Sequence, residues 1–398
     1  MKQKKRFSSI ALLVWFLFIM IFLSAWNMDR FVKIVWDDFS GNDPLISPAA
    51  DKLDTARQRP LRFNMYYTRY FRFMEPLKEV TGFSYMALNK RAIDNFSYIK
   101  DFSGNMQLVE DDFNKAQAEE QILILADAFG ERDIPFLFVS MPPRFDIEDF
   151  PIARELDFYG QHEAGMLGSL SDAGVWTLDT KQELKDAGLP YLYPFKTDIH
   201  LQTKGEIEAA RLIAEELSAY GVEINDADII FDRNNYTVET YDFGGNLIRS
   251  AGLIFTGGLD DFELWFPDFE TDLTVEDPVK NKVTKRGPFS ESVMNQMDPN
   301  TTTAGFTLYW VVNYLQYSTP YSTIDNNLNK DGPRLLFIID SYSFRTVSHM
   351  SLGAGHITII DPRQRGSKKH LIEAMENGEY DAVIVAAGGK EFYEKISF

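Results

Sequence analysis

Two segments of this 398-residue chain carry residue types that together can activate a hydroxyl group. In the first, Asp198 and His200 lie two residues apart in YPFKTDIHL (193–201), just before a predicted helix. In the second, Ser341 directly follows the apolar run RLLFIID (334–340). Serine is a weak nucleophile without a base, and a histidine oriented by a carboxylate is a common base. The spacing therefore suggests a serine-hydrolase triad of Asp198, His200 and Ser341.

Each half of this pattern also has an ordinary structural interpretation. With 59 acidic residues, an Asp-x-His sequence can arise by chance in a surface loop, and Asp-Ser after a strand is also typical of a turn or a helix cap. Ser343 is a rival for the nucleophile. The remaining histidines, His162, His349, His356 and His370, lack the spacing of metal ligands and are interpreted as structural. The chain has no cysteine, so a thiol nucleophile is excluded, and we predict no metal and no cofactor.

Short apolar runs alternate with segments of helical periodicity along most of the chain. This alternation predicts an α/β fold with a doubly wound, mostly parallel sheet, whose functional site lies at the carboxyl ends of the strands. Residues 226–333 break the pattern and predict a β-containing insertion packed over the sheet, with a helix-like stretch at 305–314. The predicted strands are 134–140, 222–230, 334–340, 356–361 and 381–387, and the predicted helices are 111–130, 205–220 and 368–377.

The amino-terminal segment is typical of a membrane anchor. Residues 7–26 contain no charge, and as a helix they span about 30 Å of hydrocarbon. Residues 1–6 include KQKKR and are expected to stay in the cytoplasm, which places the bulk of the chain outside the cell membrane. A cleaved signal peptide is the alternative. Residues 27–100 are interpreted as a membrane-proximal connector and 101–398 as the catalytic domain.

The charge of the chain excludes one class of partner. The formal net charge is −19, and the basic residues show no dense stripe after the first six positions. A nucleic acid would be repelled by this field. A neutral or weakly charged substrate is therefore expected.

Four ordered motifs occur along the chain: FLFVSMPPR (136–144), then Thr197-Asp198-Ile199-His200-Leu201 with Gly205, then Asp340-Ser341-Tyr342, and then Ile360-Asp361-Pro362-Arg363. Together they resemble SGNH-hydrolase-like proteins of the alginate acetylation type and the related DHHW proteins of Gram-positive bacteria. The resemblance covers roughly residues 100–398. Leu201, Ile199 and Ile339 depart from the tryptophan, histidine and glycine of the family patterns.

This resemblance implies an SGNH-like fold in which the triad order along the chain is circularly permuted. It also implies secondary site residues. Arg363 matches the arginine of the family "IDxR" strand and is expected to contact substrate, although a solvated salt bridge is an equally good interpretation. Gly245 and Asn246 resemble a block that completes the oxyanion hole, although a simple turn is also consistent, and Tyr342 flanks the nucleophile.

The resemblance further implies an O-acyltransferase, with acetyl as the acyl group, acting on a cell-surface polysaccharide. A multispanning membrane acyltransferase of the MBOAT class is the expected acyl supplier, because acetyl-CoA is absent outside the cell. Two alternatives remain open from sequence. One is a carbohydrate esterase or deacetylase that uses the same triad with water, and the other is a non-catalytic surface assembly protein that keeps only the fold.

Overall fold

The computed structural model describes residues 74–93, 98–100, 106–108, 113–141, 158–189, 195–245, 248, 252–277, 283–294, 307–308 and 319–396. The chain divides at Ser84 into two compact units, and every site residue discussed below belongs to the second, which runs from Tyr85 to Phe398. No helix within these ranges is both long and apolar enough to cross a bilayer. Residues 7–26 lie outside them, so the anchor stays a prediction.

The helices vary from a single turn to almost five turns. In the described part of the chain, 3₁₀ turns at Arg233–Asn235 and Ser341–Ser343 add to them. The α-helices in the described ranges are α1 Met74–Ala87, α2 Lys115–Gly130, α3 Phe158–Asp172, α4 Thr180–Asp186, α5 Thr203–Ala219, α6 Ala227–Ile230, α7 Leu253–Thr256, α8 Phe289–Ser292, α9 Phe344–Met350, α10 Ser367–Asn377 and α11 Lys390–Lys395.

The strands form one large sheet and two small ones. The small sheets have the strand orders β1-β2-β3 and β10-β6-β7. The described strands are β1 Ala92–Ile93, β2 Tyr98–Lys100, β3 Met106–Leu108, β4 Phe136–Ser140, β5 Trp176–Asp179, β6 Tyr236–Gly244, β7 Asp260–Pro267, β8 Leu273–Asp277, β9 Val283–Gly287, β10 Thr307–Leu308, β11 Ser322–Asn326, β12 Arg334–Ile339, β13 His356–Ile360 and β14 Ala382–Ala387.

The large sheet has eight strands in the order β5-β4-β14-β12-β13-β11-β8-β9. The first five are parallel, and β11, β8 and β9 continue the sheet with antiparallel pairing. Strand β12 lies in the middle, between β14 and β13. Because the carboxyl ends of parallel strands meet at one edge, the residues that follow β12, β13 and β14 are brought together there.

The central strands are apolar on both faces because helices cover both. Leu335, Phe337 and Ile339 of β12 pack into one cluster with the buried side of α5 and with α9. The alternate residues Leu336 and Ile338 pack with α2, α3, α10 and α11 on the other face. Each fully buried aliphatic side chain contributes about 1.5–3 kcal/mol to folding. The predicted mixed α/β fold with a mostly parallel sheet is therefore confirmed.

The strand predicted at 222–230 is wrong. The segment is a loop followed by the short helix α6, and Asp226 at its start has a left-handed backbone with φ 54°. Only Ile224 and Ile230 of its apolar residues are fully buried. The polar NDAD sequence interrupts the apolar run, and Asn225 N–H bonds to Gly353 O instead of to a strand. The edge strand β5 was not predicted, because it is short and only Leu178 in it is fully buried.

The predicted insertion at 226–333 has the expected β character but a different placement. Three of its strands, β8, β9 and β11, extend the large sheet itself rather than packing over it. Strands β6 and β7 form a long antiparallel pair from Tyr236–Pro267 to Phe243–Asp260. Within the stretch predicted as helical, Thr307 and Leu308 instead pair with β6, and the rest lies outside the described residues.

Candidate active site

The turn after β12 is fixed by the buried carboxylate of Asp340. Its Oδ1 accepts the N–H of Tyr342 at 2.9 Å, and its Oδ2 accepts those of Gly388 at 3.1 Å and Gly389 at 2.8 Å. Burial raises the pKa of Asp340, an effect that Arg363 and these backbone donors oppose. The side chain thus ties the end of β12 to the end of β14 and leaves Ser341 partly exposed at the carboxyl edge of the sheet.

The loop that carries Asp198 and His200 is held by Asp260, at the start of β7. This carboxylate accepts the N–H of Lys196 at 2.8 Å, the N–H of Thr197 at 2.7 Å and the hydroxyl of Thr197 at 2.5 Å. Phe195 N–H closes the loop on His200 O at 3.0 Å. Sequence reasoning missed Asp260, because nothing in the local pattern links it to a loop more than sixty residues earlier.

His200 lies between Asp198 and Ser341. Its Nδ1 is 2.6 Å from Asp198 Oδ1, and its Nε2 is 3.0 Å from Ser341 Oγ. The carboxylate can only accept, so Nδ1 carries the proton and Nε2 accepts from the serine hydroxyl. Asp198 is 0% exposed and His200 3% exposed. The three predicted triad residues therefore meet in the geometry that general-base activation of a hydroxyl requires.

Arg363 adds a positive charge beside the same hydroxyl. Its Nη1 is 3.4 Å from Ser341 Oγ. The rest of the guanidinium is held by Asp361, which accepts Nε at 3.0 Å and Nη2 at 2.9 Å and is buried at the end of β13. A bidentate carboxylate contact fixes the plane of a guanidinium. Asp361 therefore orients the guanidinium of Arg363 through a salt bridge, and Arg363 Nη1 is a hydrogen-bond donor beside Ser341 Oγ.

Two of the predicted oxyanion residues have their N–H groups engaged elsewhere. Gly245 N–H donates to Thr197 Oγ1 at 2.9 Å, and Tyr342 N–H donates to Asp340. Neither is therefore placed to donate to a reacting oxygen. Gly245 has a packing role, because a Cβ there would lie 2.3 Å from Thr197 O and 2.4 Å from Asp198 Cβ. Asn246 lies outside the described residues.

Tyr342 contacts the site through its ring. The buried ring lies 4.9 Å from the imidazole of His200 at a tilt of 31°. It therefore forms one apolar wall of the histidine. The rival nucleophile Ser343 is fully buried, and its hydroxyl donates to Ala386 O at 2.8 Å, which removes it from the edge.

The other described histidines lie away from this site. His349 is fully buried, with Nδ1 2.8 Å from Arg345 O, and burial lowers its pKa to about 4. His356 bonds Asp325, and His370 stacks on Tyr321. In the described ranges, no three His, Asp or Glu side chains come close enough together to hold a metal ion.

Solved structures that resemble this fold include PatB1 of Bacillus cereus and a DHHW family protein. PatB1 of Bacillus cereus with a sulfonyl adduct is 17% identical, with a TM-score of 0.57 over 76% of this chain and 96% of that chain. A DHHW family protein from Eubacterium siraeum is 15% identical, with a TM-score of 0.52 over 76% and 92% of the two chains. This chain has their fold.

The resemblance to DHHW proteins inferred from the motifs is thus confirmed at the level of the fold. A second structure of PatB1, 15% identical with a TM-score of 0.55, covers 76% of this chain and 97% of its own. No protein-family model matches the sequence, and no curated protein matches it. Identity this low relates the folds only, so the chemistry must be argued from the residues of this chain.

Proposed function

We propose that this protein is a membrane-anchored, extracytoplasmic serine O-acyltransferase. Ser341 takes an acyl group, which the motif resemblance suggests is acetyl, and passes it to a hydroxyl of a cell-surface polysaccharide. The observation that carries the proposal is the hydrogen-bonded row of Asp198, His200 and Ser341 at the carboxyl edge of the sheet. The adduct carried by PatB1 is consistent with a reactive nucleophile in a protein of this fold.

The reaction needs two acyl transfers that share one base. Ser341 Oγ attacks the donor carbonyl while its proton passes to His200 Nε2, and collapse of the tetrahedral intermediate returns that proton to the leaving group. A sugar hydroxyl then attacks the acyl-serine and gives its proton to His200. The second collapse returns a proton to Ser341 Oγ and releases the acylated sugar, so the enzyme is regenerated.

The negative charge that develops in both intermediates needs donors near Ser341 Oγ. Arg363 Nη1 supplies one, at 3.4 Å from that oxygen in the resting state. The N–H of Ser341 supplies the second, since in the described part of the chain it makes no hydrogen bond within the protein. Removing one such donor lowers turnover by about 10²–10³-fold in other serine enzymes.

The amino-terminal segment would determine the side of the membrane on which the reaction occurs. An apolar run at 7–26 behind a basic hexapeptide would hold the catalytic domain on the outer side of the membrane. Because the catalytic domain lies outside the cell in this proposal, the acyl group must first cross the bilayer. A membrane acyltransferase of the MBOAT class would carry out that transfer. Anchoring keeps the domain close to that supplier.

Trapping the nucleophile tests the proposal. We expect the full-length protein to react with a sulfonyl fluoride at one residue, and mass spectrometry of the digested product to place the adduct on Ser341. The Ser341→Ala protein is the matched control and should remain unmodified. Labelling elsewhere, or no labelling of the wild-type protein, would contradict the assignment.

A second measurement separates transfer from hydrolysis. The wild-type protein is incubated with an activated acetyl ester and an oligosaccharide, and the products are separated. Acetylated sugar that accumulates faster than free acetate supports a transferase. Free acetate alone, at a rate independent of the sugar, identifies an esterase and overturns the proposal.

A further inference from the structure

The two halves of the candidate site lie on separate segments of the chain, and each segment runs on into a helix. The loop that ends at His200 continues into α5, whose first turn contains Glu206. The turn that begins at Ser341 continues into α9, whose second residue is Arg345. Both charged side chains are buried, with Glu206 0% and Arg345 2% exposed. They meet between the two helices.

The pair joins the two segments through one ion pair and several hydrogen bonds. Arg345 Nη2 lies 2.5 Å from Glu206 Oε1 as an ion pair without hydrogen-bond geometry. Glu206 Oε2 accepts the N–H of Arg345 at 2.8 Å and that of Thr346 at 3.4 Å, and Thr346 Oγ1 donates to Glu206 O at 3.0 Å. The carboxyl therefore caps the start of α9 from the first turn of α5.

The arginine reaches further toward the site than the carboxyl. Its Nη2 donates to Leu201 O at 2.7 Å, and Leu201 is the residue directly after His200. The guanidinium lies 5.4 Å from the ring of Phe262 and 6.0 Å from that of Phe195, which itself bonds His200 O. A side chain four residues after Ser341 thus fixes the backbone next to His200.

This pair is a costly way to hold two helices together. Burial raises the pKa of Glu206, an effect that Arg345, His200 and two backbone donors oppose. Apolar side chains of the same volume often stabilise such an interface as well as a buried ion pair does, or better. Apolar side chains make no directional contacts, whereas the hydrogen bond from Arg345 Nη2 fixes the position of Leu201 O relative to Arg345.

We infer that the Glu206–Arg345 pair is a positioning device that sets the distance between His200 Nε2 and Ser341 Oγ. The inference rests on the proposed function, because that distance matters only if His200 activates Ser341. Neither residue touches Ser341 Oγ, so their role is positioning rather than catalysis. A displacement of about 1 Å between reacting groups can cost about 10²-fold in rate.

The decisive experiment replaces the pair by apolar residues. The full-length Glu206→Leu/Arg345→Met protein is compared with wild type for its maximal rate of inactivation by a sulfonyl fluoride and for the reagent concentration that gives half of that rate. We expect the maximal rate to fall by at least about tenfold, with the half-maximal concentration within about twofold. Thermal unfolding should show a protein at least as stable as either single variant, because the apolar pair leaves no unpaired charge.

A matched control separates this effect from general loss of a buried carboxyl. Glu163 is also buried, at 4% exposed, but bonds Ser140 on β4 and lies outside both catalytic segments. Glu163→Gln should be labelled at the wild-type rate. If the Leu/Met protein also reacts at the wild-type rate, the positioning role is wrong.

A milder variant decides the question if the apolar pair does not fold. Arg345→Lys keeps the charge beside Glu206, but its shorter side chain lacks the Nη2 group that also donates to Leu201 O. Slower labelling at an unchanged half-maximal concentration supports the inference, and wild-type labelling overturns it. Failure of the proposed function has a different signature, since the wild-type protein would then show no labelling of Ser341 at all.

Discussion

Two regions of this protein hold an aspartate, a histidine and a hydroxyl in a hydrogen-bonded row. In the candidate site, His200 lies 2.6 Å from Asp198 and 3.0 Å from Ser341. Near the opposite edge of the same sheet, His356 lies 2.6 Å from Asp325 and 3.1 Å from Thr358, and we call these three residues the sheet cluster. By distance alone the two rows are nearly identical.

Their surroundings differ in every respect that matters for chemistry. Ser341 follows the end of β12 and is partly exposed, whereas Thr358 lies in the middle of β13 and is 2% exposed. Burial raises the pKa of both Tyr321 and Tyr380, an effect that the Thr358 hydroxyl opposes. In the sheet cluster the exposed member is the carboxylate of Asp325, with 49% of its side chain accessible.

The comparison indicates that the position of a hydroxyl at the end of a strand, rather than its distance from a histidine, makes it available as a nucleophile. The Thr358 hydroxyl points to a covered face of the sheet and is buried there, so no carbonyl can approach it. A hydroxyl after the strand can be approached, and the turn leaves the N–H of Ser341 and the oriented guanidinium of Arg363 beside it. The sheet cluster is the arrangement of a structural polar network.

The largest effect should separate the two hydroxyls. Ser341→Ala should lower acyl transfer by about 10⁴-fold or more, because the acyl-enzyme cannot form. Thr358→Val removes the corresponding hydroxyl with little change in volume, and its transfer rate should stay within about twofold of wild type. Steady-state rates with an activated ester check both. A Thr358→Val protein that loses activity while keeping its melting temperature would break the comparison.

The two carboxylates give the next effect. Asp198→Asn should lower the maximal rate by about 10⁴-fold, because an amide opposite Nδ1 favours the wrong tautomer of His200. Asp325→Asn makes the same change in the sheet cluster. Its rate should not change, and its free energy of unfolding should fall by less than about 1 kcal/mol, because that carboxylate is half exposed. Urea titrations and ester kinetics on the same preparations measure both quantities.

The smallest effect concerns stability and a buried carboxyl outside both rows. Burial raises the pKa of Glu163 from 4.5 to about 8. Because the folded pKa is the higher one, its contribution to stability is fully present below about pH 4.5 and is lost as the pH rises to 8. In that window wild type should lose on the order of 1 kcal/mol per pH unit relative to Glu163→Gln.

Urea unfolding of both proteins at three pH values between 5 and 8 gives this difference directly. His349, whose pKa burial lowers to about 4, contributes an opposite slope below pH 6.5, but it is present in both proteins and cancels. Parallel stability curves would show that Glu163 is ionised in the folded protein. They would leave the comparison of the two rows unchanged.

Local patterns predicted the central strands and the two segments of the candidate site. Strands β4, β12, β13 and β14 were predictable because a strand covered on both faces is apolar at most positions, which is visible in sequence. The loop at 222–230 and the edge strand β5 were not, because a short apolar run does not reveal whether neighbours exist to pair with it. The same limit applies to the insertion, whose β character was predicted but whose pairing with the large sheet was not.

The candidate site likewise combines residues that the sequence predicted with residues that it did not. Asp198 and His200 are neighbours in sequence, and Ser341 follows a buried strand, so their types and order predicted a triad. The residues that hold them did not stand out. Asp260 fixes the histidine loop from β7, and Glu206 pairs with Arg345 across a separation of 139 residues. Each of these contacts joins parts of the chain that only folding brings together.

The sequence by itself determined which side chains can react, because residue type and position after a strand are local properties. Only the tertiary structure decided which hydroxyl can be reached, since the sheet cluster and the candidate site hold the same chemical groups. Access depends on what packs over the face to which a side chain points, and that packing is set by long-range contacts. This is the physical reason why Ser341 is partly exposed and Thr358 is buried.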